Sequence, residues 1–101
     1  MDEAKVIAVI LSAIREYNEQ VPTDRHIPET PEVALFGPEG NLDSLGLVNL
    51  ILMVEEHLRD ECHAMLTLAD ERAMSQGRNP FRNVQSLAGY ICLLLNESNH
   101  G

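Results

Sequence analysis

The chain has 101 residues, with sixteen Asp or Glu against seven Lys or Arg, for a formal net charge of −9. That length makes one small domain and not two. The charge argues against nucleic acid or an anionic membrane surface as the main partner, because both reward Lys and Arg; it favours partners that present basic patches.

Hydrophobic residues make up 45% of the chain, but there are only two Tyr, two Phe and no Trp, so the core is aliphatic. Met1-Asp2-Glu3 is acidic where a secretory leader is basic. No run approaches the roughly 18 consecutive apolar residues of a membrane span. Cys62 and Cys92 are too few for a disulfide framework. A reduced, cytoplasmic protein is the simplest expectation.

In chain order, Asp2 to Glu19 places Ile7, Ile10, Ile14 and Tyr17 at helical spacing, with Val6 and Ala13 beside them. Pro22 marks the stop, since proline disfavours helix in the residue before it. Residues 20–42 show no sustained period and hold Pro22, Pro28, Pro31, Pro38, Gly37 and Gly40. A connection this long inside a small domain is usually functional or carries structure of its own. Val33, Leu35 and Phe36 are its expected anchors. Thr30-Pro31-Glu32 suits a single helical turn; a short strand across Val33 to Phe36 is the alternative, without an evident partner strand.

The spacing predicts a second helix from Ser44 to Arg59, capped by Asp43 or Ser44. Leu47, Leu50, Ile51, Val54 and Leu58 run down one face, of which Leu50, Ile51, Val54 and Leu58 are the expected core. Val48 and Leu52 lie beside that face and widen the apolar surface beyond the stripe of about 100° that a surface helix needs, which points to an interface. Thr67-Leu68-Ala69-Asp70 resembles a capping box that opens a short helix ending at Gly77. Asn83 is positioned to cap a last helix carrying Val84, Leu87, Ile91 and Leu94, with fraying expected from Asn96. The expected architecture is all-α: one domain over residues 1–101, a small four-helix bundle with three longer helices, one short helix and a long first loop.

The chemistry turns on Ser44. A serine at a helix start is most often a cap and nothing more. Metal and nucleophile readings are weaker. His57, Cys62 and His63 do not share one helical face, and Ser44 lacks both a nucleophile elbow and an evident histidine base. Acidic neighbours discourage a Cys62 thiolate, and Cys92 lies in an apolar run that suits the core. Glu55, Glu56, Asp60 and Glu61 read first as a solvated face.

The order Leu42-Asp43-Ser44-Leu45-Gly46-Leu47-Val48 after a glycine-rich turn, in an acidic helical chain of this length, resembles the acyl carrier protein family. Asn83-Val84-Gln85-Ser86-Leu87 is similar to the family's opening of its last helix. The resemblance spans most of the chain. It implies a 4′-phosphopantetheine arm on Ser44, added by a phosphopantetheinyl transferase and holding an acyl or aminoacyl group as a thioester. The chain itself would be a monomeric carrier and not an enzyme. Asp43 would serve recognition by the transferase, and Leu45 would seat the turn against the helix or a partner. Leu47, Val48, Leu52, Glu55 and Glu56 would meet loading and transferring enzymes that carry basic patches. Gly46 and Asn49 stand where fatty-acid carriers are often acidic, which weakens the charge near Ser44 and points toward specialised pathways. The competing expectation is an unmodified acidic adaptor that binds a basic partner through the second helix.

Overall fold

A computed structural model describes residues 3–37, 40–63, 68 and 80–98, and for Ser44, Cys62, Glu97 and Ser98 the backbone alone. Among these residues the fold is helical, with three α-helices: α1 (Glu3–Gln20), α2 (Ser44–Cys62) and α3 (Val84–Ser98). The short helix expected near Thr67 to Gly77 lies almost wholly outside the described residues; Leu68 is described, and it is fully buried.

Helix α1 is the spine, packing against both α2 and α3. Its buried stripe is Val6, Val9, Ile10, Ala13, Ile14 and Tyr17, at the spacing that keeps side chains on one helical face. Ile7 falls to the edge of that stripe and is half-buried. From α2 come Leu47, Leu50, Ile51, Val54 and Leu58, and from α3 come Val84, Leu87, Ala88, Tyr90 and Ile91. No buried polar or charged residue interrupts this core among the described residues, so its cohesion is aliphatic packing and burial. Cys92 is half-buried and packs against the core's edge.

The first loop has structure of its own. After a short 3-10 turn (Thr23–Arg25), the Asn18 amide pins it to α1 twice, donating to the Ile27 carbonyl and accepting from the Ile27 N–H, both at 2.8 Å. Thr30 to Val33 forms a β-turn closed by the Val33 N–H on the Thr30 carbonyl, in place of the expected helical turn. Beyond it the backbone is extended, and it does have a partner. Leu35 N–H donates to Arg82 O at 2.8 Å and Phe36 N–H to Phe81 O at 2.9 Å, around an isolated antiparallel bridge between Ala34 and Asn83.

The loop then folds back so that Leu42 N–H reaches Leu35 O at 2.9 Å. Two glycines permit this. Gly37 adopts φ 140°, which L side chains rarely adopt. A Cβ on Gly40 would stand 2.5 Å from the Leu35 carbonyl oxygen. The anchors Val33 and Leu35 are buried and Phe36 partly so, and the start of α2 is thereby fixed against the rest of the chain.

At the other end of α2, His63 closes the helix in the left-handed region at φ 54°, its N–H bonded to Arg59 O. The helix thus runs three residues past the expected stop at Arg59. Helix α3 starts where the sequence places it. Asn83 Oδ1 accepts from Ser86 N–H at 2.7 Å, and Ser86 Oγ accepts from Asn83 N–H at 3.1 Å. This is a reciprocal capping box with Ser in the usual Glu position. The helix continues to Ser98, past the fraying point expected at Asn96.

Candidate functional site

Asp43 is the N-cap of α2. Its backbone is extended (φ −86°, ψ −179°), and its side chain accepts from the Gly46 N–H at 2.7 Å. The Asp43 carbonyl then takes the first helical bond, from Leu47 N–H at 2.9 Å. Ser44 is therefore the first residue inside the helix, and the capping task falls to the residue before it. A carboxylate at this position also complements the positive end of the helix.

Of the two positions noted as often acidic in fatty-acid carriers, Asn49 is exposed, while Gly46 is buried. A Cβ there would come within 3.0 Å of the Tyr17 hydroxyl, 3.1 Å of Asp43 Oδ1 and 3.2 Å of Leu42 Cδ2. Glycine at 46 thus has a packing cause: it lets α2 close onto the hydroxyl end of Tyr17.

Helix α2 divides its apolar residues cleanly. Leu45, Val48 and Leu52 are 71%, 47% and 57% exposed and follow i, i+3, i+7, so they form one outward stripe beginning beside Ser44. Leu47, expected with Val48 and Leu52 on the partner side, is buried and belongs to the core. It lies on the same face as Leu50, Ile51, Val54 and Leu58, which turns it inward. Leu45 does not seat the turn against the helix; it stands out to solvent.

The two glutamates also differ. Glu56 is exposed, while Glu55 is half-buried and accepts from the Leu68 N–H at 2.6 Å. His57 is on the α1 side of the helix. Its ring nitrogens contact Glu16 Oε2 at 2.7 Å and Glu61 Oε2 at 3.3 Å, so it ties α2 to α1. Burial alone would lower its pKa, but the hydrogen bonds and charges of Glu16 and Glu61 outweigh that and raise it. Among the described residues, no three His, Cys, Asp or Glu side chains converge as a metal site.

Beside the start of α2 lies an open cleft of about 390 Å³, walled by Tyr17, Asp24, Arg25, Asn41, Leu42 and Asp43. Two of these residues escaped the sequence reading. Tyr17 sat on the apolar period and read as plain core. Arg25 is the one Lys or Arg between residues 20 and 42, a signal that was legible in principle.

No helix among the described residues is long and apolar enough to cross a membrane. No family model, curated protein or solved structure matches the chain.

Proposed function

We propose that the chain is a stand-alone acyl carrier protein. Ser44 is the attachment point for 4′-phosphopantetheine, and the fold is completed to a four-helix bundle by a short helix after α2. The observation that carries this reading is the cap. Asp43 closes the N-terminus of α2 through the Gly46 N–H, so Ser44 is not needed for that task and stands at the first helical position. A phosphate joined there lies at the positive end of the helix, where N–H groups and the dipole favour negative charge.

The surroundings fit such a group. The adjoining cleft sets one guanidinium, from Arg25, and the tyrosine wall of Tyr17 beside the carboxylates of Asp24 and Asp43. When attached, the arm would supply a terminal thiol that carries acyl or aminoacyl cargo as a thioester. The chain's own residues do the rest: Asp43 orders the helix start, and Leu45, Val48 and Leu52 offer partners an apolar stripe. The exposed Glu56 adds negative charge for basic patches on loading and transferring enzymes. The protein catalyses nothing in this reading and works as a cytoplasmic monomer. Because position 46 is buried, recognition leans on the apolar stripe and on acids farther along α2, in keeping with a specialised pathway.

The test is transferase-dependent labelling with a fluorescent coenzyme A analogue, in the parent chain and in Ser44→Ala. Label on the parent alone supports the proposal; no label, or label that survives Ser44→Ala, sinks it. The exposed stripe also suits an unmodified adaptor, which would keep its partner binding in Ser44→Ala and lose it in Val48→Asp.

A further inference from the structure

Resting on the carrier reading, we infer that the cleft beside the start of α2 seats the phosphodiester of an arm on Ser44, with Arg25 as its cation and the Tyr17 hydroxyl as a hydrogen-bond donor. Four features meet there. Asp43 lines the cleft and is also the residue joined to Ser44, so the backbone of the attachment residue adjoins the cleft wall.

Arg25 is exposed, in a chain of net charge −9, and among the described residues it forms no ion pair. A guanidinium outside any ion pair keeps its donors available to a phosphate, although Asp24 and Asp43 share the cleft with it. Tyr17 is 7% exposed, yet it forms part of the cleft wall, and its hydroxyl has no hydrogen-bond partner among the described residues. The Tyr17 side chain lines the cleft, where its hydroxyl is placed to donate to a phosphate oxygen. Gly46 keeps that hydroxyl uncovered, since a Cβ there would come within 3.0 Å of it.

The carboxylates in the cleft narrow the ligand further. One oxygen of Asp43 is committed to the Gly46 N–H, and Asp24 leaves the Arg25 charge offset within the cleft. A free phosphate dianion is a poor match for that balance. A diester carries a single charge and arrives tethered, at high effective concentration, so one cation and one hydroxyl suffice to hold it. Holding the phosphate aims the remainder of the arm along one direction from α2 and lowers the ordering cost that each partner enzyme must meet.

The experiment is a comparison of ¹⁵N-resolved NMR spectra of the full chain before and after loading with coenzyme A and a transferase, with the mass gain read on the same samples. Loading is expected to shift the Arg25 Nε–H signal and the amides of Asp24, Arg25, Gly40 and Asn41, besides those flanking Ser44. In loaded Arg25→Gln and loaded Tyr17→Phe, the shifts in residues 24–41 should be lost while those flanking Ser44 persist. A mass gain with shifts confined to the Ser44 neighbourhood in the parent chain would overturn the inference and leave the carrier reading standing. No mass gain at all removes both.

Discussion

The Tyr17 hydroxyl lies 3.0 Å from where a Cβ would stand on Gly46. The first helix and the first turn of α2 therefore meet with no room for a side chain at 46. Replacing Gly by Ala within a helix ordinarily gains about 1 kcal/mol. Here Gly46→Ala should forfeit that gain, because Tyr17 is buried and cannot easily yield, and Gly46→Glu should destabilise outright. Adding Tyr17→Phe to Gly46→Ala should recover stability. Urea unfolding of the two single variants and the double variant checks this. A Gly46→Ala protein stabilised by the full helix-propensity gain would show that the contact carries no cost.

Asp43 has two roles that substitution can separate. Asn caps a helix about as well as Asp, whereas Ala costs about 0.5–2 kcal/mol. Asp43→Asn should keep stability near that of the parent yet slow modification of Ser44, because it removes the charge and keeps the Gly46 bond. Asp43→Ala should lose both. Thermal melts alongside transferase kinetics measure the two effects; unchanged kinetics in Asp43→Asn would assign Asp43 to capping alone.

His57 makes stability depend on pH. Its pKa is raised in the folded chain against the usual histidine value of about 6.5. The folded state therefore binds the proton more tightly than the unfolded one. The resulting stabilisation is complete below about pH 6.5 and is lost as pH rises through the raised folded value. Unfolding free energy should fall with rising pH across that window, and His57→Gln should flatten the slope. A slope that survives His57→Gln would move the effect to another group. Glu16→Gln should reduce it too, since Glu16 contacts the ring at 2.7 Å.

The two apolar sides of α2 should respond differently. Val48→Asp and Leu52→Asp, at exposed positions, should change stability by no more than about 0.5 kcal/mol while weakening cargo transfer to partner enzymes. Leu47→Ala and Leu50→Ala, both in the core, should cost about 2–5 kcal/mol. Denaturant melts and a transfer assay with one loading enzyme separate the classes. A Val48→Asp chain that unfolds, or that transfers cargo at the parent rate, contradicts the division.

Much of this was legible in the residues because it is local. The three helices follow from period and punctuation. Asn83 follows from cap chemistry, which at the second helix left Asp43 and Ser44 both open until the Gly46 bond chose Asp43. Leu50, Ile51, Val54 and Leu58 follow from their shared face. What escaped depends on distant pairing. The extended run Val33 to Phe36 had no evident partner because its partner, Phe81 to Asn83, lies just before the last helix and shows no strand period. Leu47 shares the helical face of Leu50, Ile51, Val54 and Leu58, so its burial was legible from the period, and it was the resemblance that sent it to the partner side. Gly46 read as a missing charge because nothing in the sequence reveals that the Tyr17 hydroxyl occupies its side. His57 read as a weak metal ligand, since its neighbours in sequence do not disclose Glu16 across the helix interface.

The central claim concerns one oxygen atom, and intact-protein and peptide mass spectrometry of the chain isolated from its own host tests it most directly. The account predicts that the peptide spanning Leu42 to Val48 carries the mass of 4′-phosphopantetheine on Ser44, with or without thioester cargo. A bare Ser44 throughout the isolated protein, together with no gain on exposure to coenzyme A and a transferase, would contradict it.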